Sequence, residues 1–347
     1  MQKWIKLLSG LLLVQLLLAL VVNLSGEEHG AYQAKAKLLS FDPQAVDRVR
    51  IESDGKQVSL HKQDGRWLVP DAGDFPADQA SVTRLLDSLA SLKQGWPVAT
   101  TGSAERRFKV ADDEFNTRIT LLQGDQTLAR LYVGSSPGFR KVNVRPQGAE
   151  AVFAVAFNSW EAGAKADDWI DKEVLKLDPD RVEKVELPDL TLQRKDGGLQ
   201  LAKLTDQEKT KPEAVTDLMN RLTGLRIESV LGTQAKPEYR LDTPDLELKL
   251  VRQQGEPLDY RFAKPEGESY YVLKRSDLDY YFKIPEFSVK PILEMQRDKL
   301  VQSEAGTSDT LAATQHAAVE ASQTTKGGAP GEVSPAAPAL ETTQTTE

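Results

Sequence analysis

The sequence predicts an α+β protein: an N-terminal transmembrane helix, two tandem repeated α+β domains with antiparallel or mixed sheets, and a disordered C-terminal tail. Three observations predict it. Residues 7–24 are uncharged and apolar, the stretch 41–302 matches itself in order, and the composition changes abruptly after residue 302. The boundaries that follow are 1–26 for a cytoplasmic N-terminus and anchor, 27–40 for a stalk, 41–176 and 177–302 for the repeats, and 303–347 for the tail.

Lys3 and Lys6 precede Leu7–Leu24, an 18-residue run with ten leucines. At ~1.5 Å per residue a helix of that length matches the hydrocarbon thickness of a bilayer. Positive charge before the run and Glu27 and Glu28 after it predict a cytoplasmic N-terminus and an extracytoplasmic bulk. A cleaved signal peptide is the rival reading. Asn23-Leu24-Ser25-Gly26 is a poor small-x-small site, so the run is read as an uncleaved anchor.

The internal matches keep their order along the chain. Phe41-Asp42-Pro43 through Val49 lies on Leu177-Asp178-Pro179 through Val185 at an offset of 136. Leu60 through Gly65 lies on Leu192 through Gly197 at 132, and the stretch from Val82 on that from Val215 at 133. Asp171-Lys172 and Asp298-Lys299 agree at 127, which sets Trp160 on Phe287 and Phe153 on Tyr280. Each copy has a hairpin signature around Asp64-Gly65 or Asp196-Gly197, dipeptides suited to a tight turn with positive φ. A helix follows, with Val82, Leu85, Leu86, Leu89 and Leu92 on one face, or Val215, Leu218, Met219, Leu222 and Leu225. Pro76 and Pro212 are placed near the two helix starts. Two further hairpins and a short helix bearing Trp160 or Phe287 complete each unit. Strands on both sides of one long helix define the α+β class.

From residue 303 onward the chain is Thr-, Ala-, Gln- and Pro-rich, without an aromatic residue. Scattered aliphatics cannot offset ordering entropy, so this segment is expected to be disordered. It holds six acids and one base, part of an overall net charge of −8. That balance argues against nucleic acid as a partner.

Chemistry is hard to find in this chain. No cysteine exists, which removes disulfides, thiolate metal sites and cysteine nucleophiles. Three histidines exist, and of these only His61 falls in the repeats, on the strand face opposite Val58 and Leu60. No nucleophile elbow, phosphate loop, dinucleotide fingerprint or zinc helix occurs. Asp112-Asp113, Asp167-Asp168 and Asp277 with Asp279 could in principle serve a carboxylate-dependent hydrolase. Adjacent acids are more simply solvated faces. No catalytic residue, cofactor or metal ligand is assigned. Among the aromatics, Tyr280 and Phe282 fit the core, and Tyr271 and Tyr281 are the candidates for a partner-contact surface.

The anchor, Asp64-Gly65-Arg66-Trp67, the helix Val82–Leu92, Leu131-Tyr132-Val133-Gly134 and Trp169-Ile170-Asp171-Lys172 together resemble family 4340 of domains of unknown function. The resemblance spans residues 41–302. It implies a one-helix bacterial membrane protein, often encoded beside an ABC transporter, and hence an ABC transporter permease as possible partner. It supplies no catalytic residues. The expected function is a non-enzymatic, membrane-anchored extracytoplasmic scaffold or accessory subunit of such a transport or envelope system. The bilayer is engaged through residues 7–24. A glycan hydrolase working with carboxylates and a solute-binding module using the groove between the repeats are the alternatives.

Overall fold

The computed structural model describes Gln15 and residues 36–303. The rest of the apolar run, most of the stalk and the tail after Ser303 lie outside the described residues. Among the described residues no helix is long and apolar enough to cross a membrane.

Each half opens on the same local device. Asp42 and Asp178 each precede a proline, and each carboxylate accepts the backbone N–H two residues on, at 3.0 Å. Proline has no N–H to lose at the first helical position, so both Asp-Pro pairs start a 3₁₀ turn. A strand follows each turn.

In the first half the strands are β1 (Arg48–Ser53), β2 (Lys56–Gln63), β3 (Arg66–Val69), β4 (Phe75–Pro76), β5 (Pro97–Ala99), β6 (Thr117–Gln123), β7 (Gln126–Val133), β8 (Val142–Pro146) and β9 (Val152–Val155). They form one sheet in the order β4-β3-β2-β1-β6-β7-β8-β9-β5. In the second half they are β10 (Val182–Leu187), β11 (Leu190–Lys195), β12 (Gly198–Leu201), β13 (Glu208–Thr210), β14 (Ser229–Gly232), β15 (Leu246–Arg252), β16 (Leu258–Ala263), β17 (Tyr270–Arg275), β18 (Tyr281–Pro285) and β19 (Val301–Ser303). Eight of these make a sheet in the order β12-β11-β10-β15-β16-β17-β18-β14. Apart from β4, the two orders correspond strand for strand. β13 and β19 pair separately. Every pairing between named strands is antiparallel, which resolves the expected "antiparallel or mixed" into antiparallel.

Register explains one of the sequence offsets. Val49 faces Leu60 across β1 and β2, and Val185 faces Leu192 across β10 and β11. The second hairpin is four residues shorter, which accounts for the drop from 136 to 132.

The helix Gln79–Ser91 buries Val82, Leu85, Leu86 and Leu89, and the helix Pro212–Thr223 buries Val215, Leu218, Met219 and Leu222. Asp78 caps the first, its carboxylate accepting from the Ser81 amide at 3.1 Å and the Ser81 hydroxyl at 2.7 Å. Burial pushes that carboxyl up, and the two Ser81 bonds outweigh it, so it titrates below the usual range. The second helix has no side-chain cap but takes Pro212 as its first residue. Both helices contribute to one apolar core that runs through both halves.

The opposite face of the first sheet is partly covered too. Residues 100–116, including the helix Gly102–Arg107, fold over it and trap Val110, Tyr132 and Val152 in a second small core with Phe108 and Phe115. Gly134 makes this possible, because a Cβ there would collide with the carbonyl oxygens of Phe108 and Lys109. Its absence lets Ser135 donate its N–H to Phe108 O at 2.9 Å.

Four expectations shift. Pro76 lies in β4, not at the helix start, because it continues the edge strand before the Asp78 cap. Stalk residues 36–40 already belong to the fold: Leu38 donates to Leu92 O at 2.8 Å and Leu39 is buried. Ser303 is still in β19, opposite Glu208. Finally, Asp298-Lys299 does not occupy the place of Asp171-Lys172. The Asp78 amide bonds to Trp169 O at 2.7 Å, and the equivalent Lys211 amide bonds to Leu300 O at 2.8 Å. The equivalent segment therefore comes later in the second half, after the short helix Arg297–Leu300 has used up the Asp-Lys pair.

Candidate functional site

The two tyrosines singled out for partner contact point to opposite faces of one sheet. Tyr271 faces Ile284, and its neighbour Leu273 faces Phe282; all four lie in the core. Tyr271 is only 8% exposed, which corrects the expectation that it stands on the surface. Alternation cannot place it, because the strand has buried residues on both sides, Val272 among them. Tyr281 does lie on the outer face, opposite Lys274, whose ammonium sits 5.1 Å from its ring centre. Tyr239 also packs on it, with ring centres 5.3 Å apart. Phe282 is in the core as expected, and Tyr280 is half-buried against Phe75.

The acid pairs do not converge. Asp112 is taken by Arg145 at 2.6 Å, Asp113 by Arg106 at 2.6 Å, and Asp277 by Arg275 at 2.6 Å. Asp168 accepts the Lys165 amide at 3.1 Å. Asp167 differs: burial raises its carboxyl above the ordinary value, with Lys172, Glu228 and Lys283 nearby. His61 comes within 3.9 Å of Asp74, and both side chains are open to solvent, so no enclosed imidazole–acid pair forms. Among the described residues no group of three or more potential ligands could hold a metal ion.

Two arrangements were not visible in the sequence. One is a polar row across the outer face of the first sheet. Glu52, Arg118, Tyr132 and Arg145 are consecutive partners on β1, β6, β7 and β8. Arg118 grips Glu52 with two bonds at 2.5 and 2.6 Å, which lowers the Glu52 pKa and raises that of Arg118. Arg145, nearly fully buried, lies 4.7 Å from the Tyr132 ring centre and donates to Val110 O, Ala149 O and Asp112. The bond from Arg145 holds Asp112 below the usual carboxylate range. This row pins the 100–116 cover to the sheet.

The other is the seam between the halves. Phe75 of β4 meets Tyr280 and Phe282 edge-on, at 4.9 and 5.8 Å. The Tyr280 hydroxyl donates to Gly73 O at 3.0 Å. The connecting segment is bonded to both sides: Asp171 N–H to Pro76 O at 2.9 Å in the first half, and Lys172 O to Ile227 N–H at 3.1 Å in the second. Buried Arg275 then reaches back to Leu175 O at 3.0 Å. A groove of roughly 690 Å³ lies away from this seam, on the outer face of the second sheet. It is lined by charges of both signs, Glu186, Lys249, Asp259, Arg261 and Lys274.

These roles explain the residues of the resemblance. Trp67 is clamped by Gln79, which accepts its N–H at 2.8 Å and donates to its carbonyl at 2.9 Å. Gly134 admits the cover. Trp169 is buried, donates its indole N–H to Gly163 O at 2.8 Å, and its carbonyl receives the helix cap amide. Trp169 and Lys172 also line a groove of roughly 440 Å³ with Ser81, Arg84, Glu161 and Asp168. No curated protein and no solved structure matches the chain. A family model described as a domain of unknown function, DUF4340, matches residues 67–244, the span that holds Trp67, the first long helix, Gly134, Trp169 and the seam-forming linker. That span is more than half of the chain, and the protein belongs to the DUF4340 family.

Proposed function

We propose that this protein is a non-enzymatic, membrane-anchored scaffold or accessory subunit, held in the bacterial inner membrane by residues 7–24 and working on the extracytoplasmic side with an ABC-type transport or envelope system. The observation that carries the reading is the seam. Phe75, Tyr280 and Phe282 fill it, and backbone bonds tie the linker to both halves. Two sheets so joined make a stiff platform whose outer faces stay partly open to solvent, which suits presentation of a surface to partner proteins. A filled seam also weighs against a solute-binding groove between the halves. Asp112, Asp113, Asp168 and Asp277 are engaged by arginines or a backbone amide rather than aimed at a common point, which weighs against a glycan hydrolase.

We further propose that the halves arose by tandem duplication. The matching strand orders, the paired Asp-Pro caps and the hairpin register support it. Solubilisation of native membranes in mild detergent and co-purification on the tagged full chain tests the function. A permease or ATPase of an ABC transporter is expected in stoichiometric yield, and repeated recovery of the chain without any transporter component would overturn it.

A further inference from the structure

One corner of the first half exposes apolar side chains and cations together. Phe139 is 86% exposed, Trp96 71% and Val98 44%. Pro97 pairs with Phe153 on β9, and Val142 opens β8 opposite Val155 at the end of β9. Trp96 therefore lies toward the same end of the sheet as the loop 134–141 that carries Phe139. Four cations lie on the same segments as these rings or pair with them. The Arg140 guanidinium lies 4.9 Å from the Phe139 ring centre, Lys141 follows it, and Lys37 and Lys93 face each other across an isolated bridge. All four are exposed. Among the described residues, none of the four has a carboxylate within ion-pair distance, in a chain with more acids than bases. Opposed lysines repel, so the Lys37–Lys93 bridge favours an anionic neighbour.

The first residues of the continuous described stretch also lie here. Gln94 donates its N–H to Ala36 O at 2.9 Å, two residues before Trp96. Eleven residues, 25–35, separate the apolar run from Ala36. Fully extended they span at most ~40 Å, so an anchored chain keeps this corner nearer the membrane than most of the molecule. Aromatic rings favour the headgroup layer, and Lys and Arg favour anionic lipid beside it.

We propose that this corner rests on the surface of the anionic bilayer, with Trp96 and Phe139 in the headgroup layer and Lys37, Lys93, Arg140 and Lys141 against lipid phosphates. The contact orients the first half and leaves the second projecting outward. The proposal rests on the reading of residues 7–24 as an anchor, and its test separates the two. The chain has no cysteine, so a single introduced cysteine takes one spin label. The full chain is reconstituted into vesicles of phosphatidylcholine and phosphatidylglycerol, and W96C, F139C, W160C and L13C are labelled in turn. Accessibility to oxygen is compared with accessibility to a water-soluble nickel chelate. Labels at 96 and 139 are expected to be several-fold more shielded from nickel than the label at exposed Trp160, and the shielding at 139 to weaken in vesicles of phosphatidylcholine alone. Labels at 96 and 139 as open to nickel as the label at 160 overturn the proposal. The label at 13 reports separately on the anchor: shielded there but open at 96 and 139, only the surface contact is lost; open at all three, both readings fail.

Discussion

Buried Arg145 and exposed Arg106 each bind one aspartate of the same pair, and their surroundings make them unequal. Arg145 also satisfies two backbone carbonyls and lies over Tyr132, whereas Arg106 stays largely in water. Arg145→Ala should cost about 2–4 kcal/mol of unfolding free energy in a urea titration, since it strands polar groups beneath the 100–116 cover. Arg106→Ala should cost under about 0.5 kcal/mol, as surface ion pairs do. Equal effects would mean that the buried row does not hold the cover. Gly134 provides a second check. Gly134→Ala should destabilise by about 2–4 kcal/mol, because the added methyl must displace the Phe108 carbonyl. Gly138→Ala, four residues on with open space around its Cβ position, should be near neutral in the same titration.

At the scale of elements, β13 and β19 are short, and a fork of charge helps to hold them. Arg297 binds both oxygens of Glu208, at 2.7 and 2.6 Å, and this draws the Glu208 pKa down from 4.5 to about 2. A carboxyl depressed in the folded state stabilises fully above its unfolded value, and the contribution fades as pH falls from about 4.5 toward 2. Thermal midpoints measured across that window should fall less steeply with acid in Glu208→Gln than in the parent chain. Identical slopes would show that the fork does not couple to folding. These two strands also mark where sequence reading ran out. The long hairpins of β2–β3, β6–β7 and β15–β16 were legible because alternation persists for several residues on each side of a short glycine-containing connection. Strands of two to four residues such as β4, β5, β13 and β14 have no period to detect, and pairing with distant partners creates them. Tyr271 was misassigned for a related reason: β17 is buried on both faces, so alternation carries no information about which is the core. The arginine row could not be foreseen, because its members lie on four strands and only register aligns them. The cover over Tyr132 had one trace in the sequence, the glycine after Val133, whose necessity is spatial rather than local.

For the whole molecule the question is whether two similar sheets behave as one folding unit. A chain of two independent domains would show two unfolding transitions, or one broad one. Here the apolar core runs through both halves, Phe75 is almost wholly buried against the second sheet, and Arg275 of the second half bonds to the linker carbonyl of Leu175. Calorimetry on the full chain should therefore give a single endotherm whose van't Hoff and calorimetric enthalpies agree. Phe75→Ala should cost about 3–5 kcal/mol, the usual loss for emptying a buried phenylalanine site. Arg275→Ala should act on the same seam by leaving the buried Leu175 carbonyl without its partner. The single substitutions should lower the midpoint and keep one transition. The double variant should separate the transitions, because the seam then loses both its aromatic plug and its tether. Amide exchange gives the residue-level counterpart: the Ile227 and Asp171 amides, which bridge linker and halves, should exchange at the global rate in the parent chain and faster than strand amides in the double variant. Two endotherms in the parent chain would leave each half folding alone and would remove the stiff platform on which the proposed scaffold role depends.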